Sequence, residues 1–453
     1  MINALLRHVR SAETARHLAA LATGAPASAP ISLRLELPAQ FSDWLDLLPD
    51  GQPWWYRARP EHSEFRLGIG HALHVTSAGS NRFAALDGAL AGFCRDWRRN
   101  GPALAFSGFA FADNNTAPFP NALLAIPAIL LECVDGTCSL TLTTPAGRLP
   151  QTLVEWPTLL IHAAPGQPPN PQAGRPEPLA EQVWMARVVA ALRDIARGHL
   201  DKIVLTRCRQ VESNTPLSPA AILAALNVQQ PRSIVYAHGN GRQTFLGATP
   251  ERLVRKTGRQ VHVDALAGTA WPGSPALADD KNRHEQSLVV RAVIEALAPC
   301  CDGQPQTGIL EEHPAGFLRH WRSRISGVCR RDSSLFDLVR ALHPTPAVGG
   351  FPTAVAEEWL TAHNEQRHGW YSGGFGVLFP DGDGEFSVAL RSALLDGNKA
   401  TLQAGAGIVA GSNPQQELAE TEAKLGTLLA ALNPDQGHAL DSRPAWRRRG
   451  NDG

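Results

Sequence analysis

The chain has 453 residues, 42 basic against 42 acidic side chains, and 43% hydrophobic residues. That length holds one large domain or two ordinary ones, the balanced charge offers no field to nucleic acid or an anionic membrane, and no apolar run approaches the length of a membrane span. The seven cysteines are odd in number and irregularly spaced, which speaks against a disulfide framework or a zinc site, and Met1–Arg10 lacks a signal-peptide core, so a reduced, cytoplasmic protein is expected.

Residues 1–164 read as a strand-rich subdomain without an obvious catalytic cluster. Their clearest signal is a pair of apolar runs, 122–131 and 138–143, around Asp135-Gly136, which predicts a hairpin. Six prolines within residues 165–178 predict an extended linker. Residues 179–435 mix helices and strands. Helical spacing runs through 179–197, and Lys202–Cys208 reads as a strand. Two more strands, Thr244–Val254 and Arg259–Ala267, flank a Lys-Thr-Gly turn. A helix covers 281–298. The stretch 370–410 predicts a meander with turns at 381–384 and 396–398. Asn413 as cap and Pro414 in the first turn open a helix to Leu432. Residues 436–453 read as a disordered tail. Hairpins outnumber βαβ units, so the class is α+β with antiparallel sheets.

Only five of the 42 basic residues are lysine. Lysine, unlike arginine, can lose its proton when desolvated, which directs attention to Lys202 and Lys424. On its strand Lys202 shares a face with Val204 and Thr206; it is either a base in the making or a lysine snorkelling at a strand end. Glu251 follows Pro250 between apolar runs; it is either a carboxyl kept protonated by burial or a paired surface residue. Glu285 lies on the apolar stripe of its helix with Leu288 and Val289. A carboxylate buried there requires a cation, from a side chain or a metal. Glu417, Glu420, Thr421 and Lys424 share one helical face. That face is either solvated with a Glu420–Lys424 pair, or it sets Glu420 opposite Glu285 around a hard cation such as magnesium. Arg391, read on a strand 386–395 beside Ala389 and Ala393, has room for a ligand carboxylate. Gly405 and Gly407 allow a close backbone approach.

The region 180–432 resembles the chorismate-utilising enzymes: isochorismate, salicylate, anthranilate and aminodeoxychorismate synthases. Eight motifs carry the resemblance in the family's order: DKIVLTR at 201, FLGATPERLV at 245, ALAGTA at 265, KNRHEQSLVV at 281, LHPTPAVGGFP at 342, GWYSGGFG at 369, VALRSALL at 388 and AGAGIVAGSNPQQELAETEAKL at 404. The resemblance implies antiparallel sheets packed as a sandwich with surrounding helices. It implies Lys202 as the base that activates water and Glu251 as the acid that protonates a leaving hydroxyl. It implies Mg²⁺ held by Glu285 and Glu420, with Glu417 nearby through water. Tyr371, Arg391, Gly405, Gly407 and Lys424 then face the substrate chorismate, and Gly268, Thr269 and His343 line the site. Family members with a nucleophilic lysine place it where this chain has Ala267, so a covalent adduct is not expected. The resemblance therefore points to isochorismate synthesis, with salicylate synthesis, an anthranilate or aminodeoxychorismate synthase subunit, and a non-catalytic chorismate-binding protein as rivals. The expected partner is the small-molecule substrate alone, with no glutaminase subunit, no nucleic acid and no membrane, in a monomer or homodimer.

Overall fold

A computed structural model of the chain describes residues 2–38, 44–114, 118–161, 171–173, 178–271, 279–315 and 318–433. The expected tail, and most of the proline-rich stretch, lie outside these residues. The α+β class expected from hairpin signals is what the structure shows. All strand pairings but one among the described residues are antiparallel; the exception is the short parallel contact of Ile31 and Ser32 with Arg98 and Arg99.

The pairings resolve into two layers. One layer runs from Pro30–Leu37 through Thr137–Pro145, Ala122–Val134, Glu64–Ser77, Pro53–Arg59, Ile234–Asn240, Gln243–Thr249, Ser392–Asp396 and Lys399–Val409 to Lys202–Ser213. The other runs from Ala122–Val134 through Ala105–Phe109, Gly374–Leu378, Gly384–Val388, Arg252–Thr257, Gln260–Ala270 and Leu318–Val328 to Gln306–Ala315. The long strands Glu64–Ser77 and Ala122–Val134 belong to both, and the ladder between them shifts register between His71 and Leu73. A bulge there bends the sheet back on itself. Strand pairing crosses the proline-rich stretch, because Ile234–Asn240 pairs with Pro53–Arg59 and Gly374–Leu378 with Ala105–Phe109. The regions on either side of it are interleaved in one sandwich.

Aromatic rings fill the interior. Trp55 stacks on His238 at 4.0 Å, Phe106 at 5.4 Å and Trp370 at 5.7 Å. The outer faces are covered by helices: Ala12–Ala22, Leu149–Ile161, Pro219–Gln229 and Pro414–Leu432 on the first layer, and Arg82–Asp96, Asp280–Leu297 and Leu335–Leu342 on the second. The predicted hairpin forms as Ala122–Val134 and Thr137–Pro145. Its register sets Cys133 opposite Cys138, and the two are joined as a disulfide. That corrects the expectation of wholly reduced cysteines: a register partner cannot be read from cysteine spacing alone.

Two predicted strands are broken, and both breaks serve the site. The expected strand Thr244–Val254 stops at Thr249 and resumes at Arg252, because Pro250 cannot donate to a ladder. The expected strand 386–395 is Gly384–Val388 and Ser392–Asp396. Between them Arg391 turns through a left-handed φ of 50°, so it does not share a strand face with Ala389 and Ala393.

Candidate active site

The two breaks, the bulge at Gly268 and the glycines of Lys399–Val409 open onto a single cavity with about 690 Å³ of empty space, part of it open to solvent. Eleven of the thirteen nominated residues line it: Lys202, Glu251, Gly268, Thr269, Glu285, Tyr371, Arg391, Gly405, Gly407, Glu420 and Lys424.

Lys202 begins its strand and is 1% exposed. Its Nζ donates to Glu285 Oε1 at 2.7 Å. The cation that the buried Glu285 requires is therefore a side chain of this chain. Gly407 makes that pairing possible, since a Cβ there would lie 2.5 Å from Glu285 Oε1 and 2.9 Å from Lys202 Cε. At Gly405 a Cβ would stand 3.3 Å from the Tyr371 hydroxyl, and its carbonyl accepts from Lys424 Nζ at 2.8 Å.

Glu251 sits in the break after Pro250 and is 5% exposed. Its carboxyl accepts no hydrogen bond from the described residues. Burial pushes it up to about 8, helped by Asp264 and opposed by Lys202, Lys424 and Arg391. It is a protonated acid at neutral pH, as a proton donor requires. Arg391 is also buried, and burial lowers its guanidinium to about 10. It pairs with no carboxylate among the described residues; its Nη2 donates to His320 Nε2 at 3.2 Å. Tyr371, pushed up to about 12 by burial, is a neutral phenol. A buried, unpaired guanidinium facing a cavity is a receptor for a ligand carboxylate.

His320 was not found from the sequence. Its alternation with Leu318 places it on a buried face, but nothing in that pattern says the face looks into a cavity. Its Nδ1–H donates to Gly268 O at 3.0 Å, which leaves Nε2 to accept from Arg391. Burial and the Arg391 charge push it down to about 3, so it orients the guanidinium as a neutral ring. Gly268 itself turns at φ 69° with Asn282 against it, and Asn282 Oδ1 accepts from Thr269 N at 2.8 Å.

Helix Pro414–Leu432 forms as predicted, with Asn413 Oδ1 accepting from Gln415 N and Gln416 N. It presents Glu420, which binds Lys424 Nζ at 2.6 Å and accepts from Thr269 Oγ1 at 3.1 Å. Burial would raise Glu420, but Lys424 and Lys281 outweigh it and hold the carboxylate at about 2.

Two nominated residues lie outside the cavity lining. Glu417 is buried behind Glu420, and its Oε1 accepts from Lys281 Nζ at 2.6 Å. His343 lines a neighbouring cavity. Its Nε2–H donates to Ser372 O at 2.8 Å, and its ring packs edge-on against Phe109. It supports the wall residue Ser372 from behind and is not itself part of the cavity lining.

The donor set suits magnesium. Among the described residues no three or more His, Cys, Asp or Glu side chains form a metal cage, but magnesium is ordinarily held by one or two carboxylates with water and ligand oxygens. Glu285 and Glu420 supply two. The Lys281 ammonium marks their convergence: burial would lower its proton affinity, yet Glu417, Glu420 and Glu285 together raise it.

A family model described as chorismate binding enzyme matches residues 21–433. A Pseudomonas aeruginosa protein named salicylate biosynthesis isochorismate synthase is 31% identical over 427 residues, covering 87% of this chain and 87% of that protein. Isochorismate synthase MenF of Bacillus subtilis is 33% identical over 272 residues, covering 57% of each chain. The solved structure of MenF, the menaquinone-specific isochorismate synthase from Escherichia coli, superposes with a TM-score of 0.78 at 25% identity, over 95% of this chain and 99% of that one.

Proposed function

The chain belongs to the chorismate-binding enzyme family, and from that premise we propose that it is a magnesium-dependent isochorismate synthase. It isomerises chorismate by attack of water at C2 with loss of the C4 hydroxyl. The observation that carries this reading is one cavity shared by a buried lysine, a carboxylic acid held protonated and a guanidinium without a carboxylate partner.

Arg391 and Lys424 receive substrate carboxylates, with Tyr371 beside them. Lys202, after giving up to solvent the proton it shares with Glu285, takes the proton of the water that bonds to C2. The ring double bond shifts, and the C4 hydroxyl leaves as water with the proton of Glu251. Exchange with solvent returns both groups to their starting states. Glu285 and Glu420 would hold magnesium, which would supply Lewis-acid polarisation of the ring carboxylate when bound. Ala267 lines the same cavity and offers no nucleophile for a covalent adduct. Water as the nucleophile requires no glutaminase subunit.

Incubation of the purified protein with chorismate and magnesium, followed by chromatography, is expected to yield isochorismate without pyruvate. Salicylate with pyruvate would replace this reading by salicylate synthesis. An amino product formed only with ammonia would replace it by the anthranilate class.

A further inference from the structure

Three lysine–glutamate pairs meet between two helices and a strand. Lys202–Glu285 at 2.7 Å and Lys424–Glu420 at 2.6 Å line the cavity. Lys281–Glu417 at 2.6 Å stands behind them and does not line it. Lys281 lies one helical turn before Glu285, and Glu417 one turn before Glu420, so the third pair ties together the two helices that carry the proposed metal ligands.

Paired as they stand, three lysines face three glutamates and the pairs balance one another; burial and the neighbouring Glu420 charge push the Glu417 carboxyl up to about 7, and the Lys281 ammonium opposes that rise. A divalent ion entering the cluster raises its charge by two in a buried place, which is costly. A dicarboxylate ligand entering with it restores the balance. Lys424 and Lys202 can turn from their glutamates toward the substrate because both face the cavity. Lys281 does not line the cavity: its partly exposed side chain is held behind the wall on Glu417, whose side chain is 2% exposed.

We propose that Lys281 is the charge-setting residue of the site. It holds Glu417 away from the metal and balances the acidic cluster's charge before either ligand enters, so that a divalent ion binds tightly only together with the dianionic substrate. This rests on the magnesium-dependent reading above. Lys281 is a positioning residue, and its effect is read in metal affinity, by the reciprocity that links two ligands of one site.

The experiment is calorimetric titration of the purified protein with Mg²⁺, alone and with the equilibrated mixture of chorismate and isochorismate, both dianions. The native protein is expected to bind Mg²⁺ at least about tenfold more tightly with the dianions present, and Lys281→Met to bind Mg²⁺ alone about tenfold more tightly than the native protein, the scale of one uncompensated charge nearby. Lys281→Arg, which keeps the charge, and the double variant Lys281→Met/Glu417→Gln, which restores neutrality, are expected to match the native affinity. They also decide the matter if Lys281→Met does not fold, since a double variant whose metal affinity departs from the native one overturns the charge argument. Unchanged or weaker Mg²⁺ binding by folded Lys281→Met overturns the role of Lys281 alone. Failure of the native protein to bind Mg²⁺ even with the dianions overturns the metal reading of the function, and this inference with it.

Discussion

Two buried carboxylates, one on the strand Gly384–Val388 and one in the strand break paired to its end, are driven in opposite directions. Glu385, on Gly384–Val388, is ringed by Arg57, Arg59 and Arg252; Arg252 Nε donates to it at 3.0 Å and Arg59 Nη2 at 2.6 Å. Burial would raise it, but the three guanidinium groups hold it at about 2. Glu251, whose carbonyl accepts from Val388 N of the same strand, receives no such donors, and burial leaves it at about 8. The first carboxylate is finished as structure. The second is left unsatisfied, and the cavity beside it is where a reacting group can complete it.

The comparison is broken most directly by Glu251→Gln, which keeps shape and removes the proton. Turnover is expected to fall ~10²–10⁴-fold, the usual worth of a positioned acid. In the native protein activity should also decline as pH rises through about 8, where Glu251 ionises. The stability sign is opposite to that of a salt-bridged acid. The folded value lies above the unfolded one, so the stabilising proton is fully present below the unfolded value, near 4.5, and lost as pH rises through about 8. By linkage the chain forfeits up to ~3 kcal/mol at neutral pH by holding this carboxyl in a dry place. Glu251→Gln should therefore raise the melting temperature while abolishing activity. A variant with reduced activity and reduced stability would mean that Glu251 is structural.

Glu385→Ala tests the other half. Removing the acid leaves Arg57, which is buried and already lowered to about 10 by desolvation, among like charges. A loss of ~3–5 kcal/mol in denaturant unfolding is expected, with the alkaline limb of the pH profile, set by Glu251, unmoved. A shift of that limb would show that the Glu385 network tunes the catalytic acid. Gly407→Ala comes next. Its methyl group would meet the Lys202–Glu285 pair at 2.5 Å, and misplacement of a base on that scale costs ~10²-fold in kcat, with the melting temperature nearly kept. An active Gly407→Ala enzyme would remove Lys202 from the role of base.

The sequence carried one of these two carboxylates and not the other. Glu251 drew notice because Pro250 breaks an apolar strand, and that break is local. Glu385 drew none, because its arginines come from residues 57, 59 and 252, and no short-range pattern links them. The same distinction runs through the site. Asn413, Pro414 and the spacing of Glu417, Glu420 and Lys424 were legible because a helix repeats within one turn. The Lys202–Glu285 pair spans 83 positions and was readable only as a need for some cation. Arg391 was placed on the right segment and in the wrong conformation, since its positive φ has no composition signal. His320 was missed because strand alternation shows burial without showing what lies above the buried face. The interleaving of the chain's two regions was hidden for the same reason: strand partners are chosen by the whole sheet.

His343 offers the mildest test, because it is a buried titratable group that is neither ringed by charge nor left unsatisfied. Burial pushes its ring down to about 3, so it is neutral, and its one polar duty is the 2.8 Å hydrogen bond to Ser372 O. His343→Phe keeps the aromatic packing against Phe109 and Phe111 and orphans that carbonyl. The expected cost is ~1–2 kcal/mol of stability, that of a buried acceptor left without its donor. Because the ring is not part of the catalytic cavity's lining, KM for chorismate should stay within about twofold of the native value, as for any group that contacts neither ground state nor transition state. A large rise in KM at unchanged stability would put the imidazole against the substrate. The wall formed by Ser372 would then have to open during binding, which the hydrogen bond from His343 holds closed here.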